Sequence, residues 1–438
     1  MKDTPINYEV VKRKIAESGI TNVGKATIRE IRRLVDNIEK ETGDKFVRME
    51  MGVPGLPAAK AGVDAQINAL QCGVASIYPE IDGSAELKAQ VARFVELFLG
   101  IKVKPAHCLP TVGSMQGSFA AFMTIGRMNR NKSTMLFLNP GFPVHSQQCR
   151  VLGVDYEGFD VYNFRGDKLR EKLESYLVKG NISSIFYSNP NNPSWICFTD
   201  DELKIIAELA VKYDAIVIED LAYFAMDFRK DYSKPGIGPH QPSVANYMDN
   251  YLLLISSSKA FSYAGERIGM MVISEKLFTT VAPDLKRFYS FDEFGRAMVY
   301  GTIYSLSAGT SHSAQYALTA MLNAACEGKY NFVEEVKEYG KKAAIMKKLF
   351  TDNGFKIVYD KDLGDPIADG FYFTISYPGM SGEELIEEFV YYGISAISLS
   401  ITGSERSEGL RACVSLVKRS QFPDLENRLK IFHENHPV

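Results

Sequence analysis

The chain has 438 residues, 46% of them hydrophobic and 24% charged, and its 50 basic and 53 acidic side chains leave a formal charge of −3. That near-balance gives no support to nucleic acid or an anionic membrane as a partner. The length suits a large catalytic domain with a smaller companion, and apolar runs such as Tyr251–Ile255 are far too short to cross a bilayer. The N-terminal MKDTPINYEVVKRKIAE is charged throughout and has no apolar centre of signal-peptide length. Cys72, Cys108, Cys149, Cys197, Cys326 and Cys413 are scattered with no CxxC pair, as suits thiols in a reducing compartment rather than a disulfide or zinc framework. The expected location is cytoplasmic.

In chain order, Ile28, Ile31, Leu34, Val35 and Ile38 recur at helical spacing until Gly43 stops them, so residues 1–50 read as an arm. Residues 51–304 alternate short apolar runs with helical stretches. Met135–Leu138, Ser184–Tyr187, Ala215–Ile218, Leu252–Ile255 and Met270–Ile273 read as buried strands. Thr199 opens a capping box with Glu202 before the apolar helix face Leu203, Ile206, Leu209 and Ala210. That rhythm predicts an α/β fold, a mostly parallel sheet sandwiched by helices. Over residues 305–438 the texture changes to α+β, and a smaller second domain is expected there. A helix from about Val333 to Asp352 stops before Gly354, and strands follow at Phe371–Ser376 and Arg411–Val417.

The chemistry-bearing residues cluster at predicted strand ends. Ser256-Ser257-Ser258-Lys259 follows a strand, and Arg267 comes eight residues later after a turn containing Gly265. Alone, a lysine there is a solvated strand end. Paired with a guanidinium fork, it suits a ligand that is both an aldehyde and a phosphate ester, because the amine is the nucleophile and the fork takes the phosphate. Asp220 and Tyr223 are expected just past the strand Ala215–Ile218, where open α/β sheets meet their ligands. Asp220 would pair with a protonated ring nitrogen, and Tyr223 and Asn192, the latter within Asn189-Pro190-Asn191-Asn192-Pro193, would reach a ring oxygen. Gly113-Ser114-Met115-Gln116-Gly117 opens an apolar helical run whose free backbone N–H groups suit a phosphate. Phe142 offers an aromatic face, and Arg411 a fork for a carboxylate.

Taken in order, Gly52-Val53-Pro54, Tyr78 with Gly83 and Leu87, Gly113 to Met115, Pro140 to Phe142, Asn189 to Pro193, Asp220, Tyr223, Ser256, Lys259, Arg267 and Arg411 resemble the class I/II aminotransferases, enzymes of fold type I. The resemblance covers nearly the whole chain. It implies a pyridoxal 5′-phosphate enzyme that exchanges an amino group between an L-amino acid and a 2-oxo acid by a ping-pong Schiff-base mechanism. It further implies that Lys259 carries the cofactor, Asp220 pairs with its pyridine nitrogen, and Asn192 and Tyr223 hold its ring oxygen. Gly113, Ser114, Met115, Ser256 and Arg267 would cradle the phosphate, with Tyr78 reaching in from the second subunit of a homodimer. Phe142 would stack on the ring, while Arg411 and the backbone of Gly52 take the substrate carboxylate.

Two departures stand out. Where the family continues the asparagine motif with Thr-Gly, this chain has Ser194-Trp195, and a glycine there would relieve backbone strain. Arg411 is followed by Ala-Cys-Val rather than the commoner Leu-Ser. A carbon–sulfur β-lyase of the same fold would use the same residues and is the alternative. Ser256-x-x-Lys259 also fits serine–lysine acyl enzymes, but no K-[ST]-G triplet occurs and the motif follows a strand instead of opening a helix. A DNA-binding regulator built on the same body would need a basic module in front, for which fifty residues leave little room. No HExxH occurs, and His433 and His436 read as solvated tail residues, so no metal site is expected.

Overall fold

Alternation of buried residues explains the central sheet of the computed structural model, which describes residues 4–437. Residues 1–3 of the predicted arm lie outside the described residues. Leu136, Leu138, Ile185, Val217, Leu253 and Ile255 enter one core, and their chain neighbours Phe137, Phe186, Ile216, Ile218, Leu252 and Leu254 enter another. Side chains that alternate across a sheet between two dry layers produce the continuous apolar runs seen in the sequence.

Seven strands form this sheet: β1 (Cys108–Thr111), β2 (Thr134–Asn139), β3 (Tyr156–Asp160), β4 (Ile182–Ser188), β5 (Ile216–Leu221), β6 (Tyr251–Ser256) and β7 (Gly269–Ile273). Their order is β1-β7-β6-β5-β4-β2-β3, parallel throughout except that β7 runs against both its neighbours. The five expected strands are all present and run one or more residues further, although β5 begins one residue late, at Ile216 and not Ala215. β1 and the partly exposed edge strand β3 carry no apolar run and were not foreseen. One extension matters: β5 reaches Leu221, so Asp220 lies inside the strand and not past it.

Before the sheet, α1 (Ile28–Thr42) buries Ile31, Leu34, Val35 and Ile38, is capped by Thr27 with Glu30, and ends at Gly43 in left-handed backbone. The chain then lays Val47–Arg48 in parallel against Ile394–Ser395 near its other end. A four-stranded antiparallel sheet follows the large one: β8 (Lys356–Ile357), β9 (Tyr372–Ser376), β10 (Ile397–Ser398) and β11 (Leu410–Cys413), in the order β10-β11-β9-β8. β11 is shorter than the Arg411–Val417 expectation. The predicted helix from Val333 is two helices, Phe332–Val336 and Glu338–Asp352, separated at Lys337. His433 and His436 are packed instead of solvated, His433 Nδ1 lying 2.7 Å from the Tyr377 hydroxyl. No helix among the described residues is long and apolar enough to cross a membrane.

Candidate active site

The carboxyl edge of the sheet gathers most of the predicted residues, because β1, β4, β5 and β6 all end there and β7 begins there. Register aligns them: Ser188 lies opposite Asp220, and Gly269 opposite both Ser256 and Thr111. Directly beyond β6, Ser256 accepts a hydrogen bond from Ser258 N at 3.1 Å and caps a single helical turn, Ser257–Ala260, that carries Lys259. The Ser-x-x-Lys segment therefore opens a helical turn as well as following a strand, contrary to the sequence expectation.

Lys259 Nζ stands 5.5 Å from the centre of the Tyr223 ring. Burial lowers the proton affinity of its amine, Asp220 opposes that shift, and the Arg267 and Arg411 cations add to it. Asp220 is buried, and burial pushes its carboxyl up to about 7 although the Lys259 cation pulls it down. Its Oδ1 has no hydrogen-bond partner. A buried carboxyl oxygen left without a donor is costly in a protein interior, and marks a place where a donor is expected.

Gly113 begins the helix Gly113–Ile125, whose first turn has no side-chain cap. Its φ of +64° is a conformation suited to glycine, and a Cβ there would meet the Arg267 guanidinium at 2.5 Å. Ser114 Oγ, next in the chain, is buried without a partner. Free N–H groups, an orphaned hydroxyl and a guanidinium thus share one corner, which suits a phosphate.

Arg411 is almost wholly buried on β11. Its Nη2 donates to the Glu50 carbonyl at 2.6 Å, its Nη1 reaches Asn192 Oδ1 at 3.5 Å, and its Nε lacks a partner. Gly52, two residues past Glu50, is hemmed in: a side chain there would overlap the Tyr372 hydroxyl. Phe142 is partly buried, its ring 5.7 Å from that of His145. Tyr78 is the exception, 91% exposed and not drawn into this chain's own site.

Residues 46–419 match the family profile of aminotransferase class I and II. The chain belongs to the class I and II aminotransferases. It is 24% identical over 243 residues to an aspartate aminotransferase of Thermotoga maritima, covering 55% of this chain and 61% of that one. It is 26% identical over 194 residues to an S-alkyl-thiohydroximate lyase of Arabidopsis thaliana, covering 43% and 41%. These two matches thus span less than two thirds of each relative's own length. The solved aspartate aminotransferase of Thermus thermophilus with maleate superposes with a TM-score of 0.74 at 18% identity, covering 95% of this chain and 98% of that one. At that identity the likeness is one of fold.

Class I and II aminotransferases depend on pyridoxal phosphate, and the residues of this chain fit that group. The orphaned Asp220 oxygen suits a protonated pyridine nitrogen. The Ser114 hydroxyl and bare helix start beside Arg267 suit the phosphate, and the depressed amine of Lys259 suits an aldehyde.

In this family member the asparagine motif closes a hydrogen-bonded turn through Ser194-Trp195. Ser194 Oγ donates to Asn191 Oδ1 at 2.6 Å, and Trp195 N to Asn191 O at 3.0 Å. Trp195 adopts φ +64°, so a tryptophan bears left-handed backbone that costs a non-glycine residue roughly 1–2 kcal/mol. Its indole is buried edge-on to Tyr223, with Nε1 unpartnered.

Two site residues had escaped sequence reasoning. Tyr372 lies under Arg411 and bonds Tyr223; one of 23 tyrosines, it offered no signal beyond its place in a predicted strand. His145 sits three residues past Phe142, buried, with burial lowering its imidazole to about 3, so it is neutral. A lone histidine in the mixed helix Pro143–Leu152 carried no motif to single it out.

Proposed function

We propose that this chain is a pyridoxal-phosphate-dependent aminotransferase acting on an L-amino acid and a 2-oxo acid. The observation that carries the reading is one pair of groups at the sheet edge. Lys259 is an amine whose proton affinity burial lowers, and Asp220 a buried carboxyl left with an unpartnered oxygen. The cofactor, when bound, supplies an electron sink for charge developing at the substrate Cα.

The chain's own residues do the rest. Lys259 holds the cofactor through its amine in the resting enzyme. With a substrate in place, the free Lys259 amine would take the proton from the substrate Cα, a task eased by its lowered proton affinity. Asp220 ionises against the pyridine nitrogen and keeps a proton there. Tyr223 and Asn192 would donate to the ring oxygen, and Phe142 would offer its face to the ring. Gly113, Ser114, Met115, Ser256 and Arg267 hold the phosphate. Arg411 and the backbone of Gly52 orient the substrate carboxylate, and the buried surroundings keep water from the proton being moved.

On this reading residues 51–304 form the cofactor-binding domain. Residues 305–438 form the smaller domain, joined by the arm 1–50, which the pairing of Val47 with Ile394 supports. The enzyme is a homodimer. Ile67, Leu70, Ile77, Tyr78, Tyr304 and Tyr316 are exposed. Gln116 to Ser307 at 2.6 Å and Gln66 to Glu266 at 2.5 Å tie that surface to the phosphate corner. A cluster of large apolar side chains beside an anion corner supports an interface to which Tyr78 belongs. Six unpaired cysteines suit a cytoplasmic location.

The test is a half-reaction. The purified protein should be yellow, and borohydride should fix the cofactor to the peptide holding Lys259. An amino acid added alone should discharge the colour once and stop, and a 2-oxo acid should restore it. Continuous release of pyruvate and ammonia from a β-substituted amino acid, without that arrest, would establish the lyase instead.

A further inference from the structure

Tyr372 opens β9 and passes between two groups of the site. Its hydroxyl lies 2.8 Å from the Tyr223 hydroxyl, and the Arg411 guanidinium carbon stands 4.7 Å from its ring centre. The ring is buried, with Trp195 edge-on at 6.2 Å and Tyr223 at 5.4 Å. Gly52 leaves the hydroxyl its space. Among the described residues, Tyr223 is the one hydrogen-bond partner of that hydroxyl.

A phenol has one proton to give, and in a pair of phenols either can be the donor. A cofactor ring oxygen bearing negative charge only accepts. If Tyr223 gives its proton to that oxygen, it must accept from Tyr372. Burial makes both phenols harder to ionise, so each keeps its proton.

We propose that Tyr372 is a positioning residue that donates to Tyr223 and thereby sets the strength of Tyr223's own donation to the cofactor ring oxygen. The inference rests on the cofactor reading above. Hydrogen bonds in series polarise one another, so a donating Tyr372 makes Tyr223 the better donor. A stronger donor stabilises the charged ring oxygen and lowers the pH at which the visible absorbance of the bound cofactor changes. Tyr372 also lies against Arg411, so substrate carboxylate arriving there meets the residue that tunes the ring.

The experiment is a pH titration of visible absorbance in the cofactor-loaded protein, Tyr372→Phe, Tyr223→Phe and the double variant. Tyr372→Phe should move the transition up by roughly one pH unit, the shift that one ordinary hydrogen bond's differential stabilisation supports. Tyr223→Phe should move it further, and adding Tyr372→Phe to Tyr223→Phe should change nothing more. A ring-fluorinated tyrosine installed at Tyr372 has nearly the same shape but a more acidic hydroxyl, and should move the transition down. That arm stands even where the phenylalanine variant fails to fold. A transition unmoved by either change at Tyr372 overturns the proposal, and so does a shift of equal size with and without the Tyr223 hydroxyl. A wild-type protein with no visible band would defeat the cofactor reading itself, a different failure.

Discussion

Gly370 lacks a side chain where Trp195 needs the room: a Cβ built on Gly370 would overlap the indole. The two residues lie 175 positions apart, yet each restricts what the other can be. Trp195 is among the largest fully buried side chains of the protein, and its φ of +64° is a strain that its packing must offset.

Substitution tests this pairing directly. Gly370→Ala should destabilise the protein by about 2 kcal/mol or more, through overpacking against the indole. Trp195→Gly alone should also destabilise, by roughly 3 kcal/mol for the cavity it leaves, less what is regained in backbone strain. In the double variant the alanine should cost nothing further. Urea unfolding of all four proteins checks this, and additive losses would show that the two residues do not interact.

Asp220 and Glu219 predict how stability of the cofactor-free protein varies with pH. Burial raises each carboxyl to about 7, from ordinary values of 3.8 and 4.5. The folded state therefore holds protons that the unfolded chain releases. The contribution of each group is complete below its ordinary value and lost as pH rises through about 7. Each group lowers stability by about 1.4 kcal/mol per pH unit inside that window. Asp220→Asn should flatten the decline between pH 5 and 7 by about one group's share. Unfolding curves at several pH values measure it, and an unchanged slope would contradict the burial argument.

Arg411→Gln should raise KM for the amino acid about 100-fold while changing kcat much less, since losing a buried charge-assisted pair costs about 3 kcal/mol. Removal also strips the Glu50 carbonyl of its 2.6 Å donor, so some loss of stability accompanies it. Steady-state kinetics separate the two parameters. A fall confined to kcat would remove Arg411 from substrate binding.

Tyr78 predicts complementation between subunits. Mixed dimers of Tyr78→Ala and Lys259→Ala chains place both lesions in one site and neither in the other, so two poor parents should regain part of the wild-type rate. Hybrids as inactive as their parents, or an active monomer, would refute a shared site.

How legible all this was depended on what each residue does to its neighbours in sequence. β2, β4, β5 and β6 were readable because dry layers on both faces force continuous apolar runs. β1, in which Pro110 and Thr111 follow Cys108 and Leu109, and β3, with Glu157 and Gly158, bury too few apolar residues in a row to leave such a trace. The reversed direction of β7 was invisible because a buried run reads alike either way. In the site, Lys259, Asp220 and Arg267 were legible by spacing along adjacent elements. Tyr372 was not, since its role comes from a contact with Tyr223 that lies 149 residues away. Trp195 stood out as a departure, but the glycine that admits it could be found only in three dimensions.

The reversal of β7 bears on how the site assembles during folding. β6 ends and β7 begins at the same sheet edge, Ser256 facing Gly269, so residues 257–268 form a short excursion that carries both Lys259 and Arg267. Closing so short a loop sacrifices little chain entropy, whereas each parallel neighbour must wait for a crossover to find its place. Pairing of these two strands alone therefore brings the segment with the amine and the guanidinium to one edge, whereas Arg411 belongs to the separate small sheet. The rest of the site comes from elsewhere in the chain, the bare helix start at Gly113 following β1 and the Arg411 fork lying on the small sheet, so the hairpin alone holds two of the groups but not the whole phosphate corner.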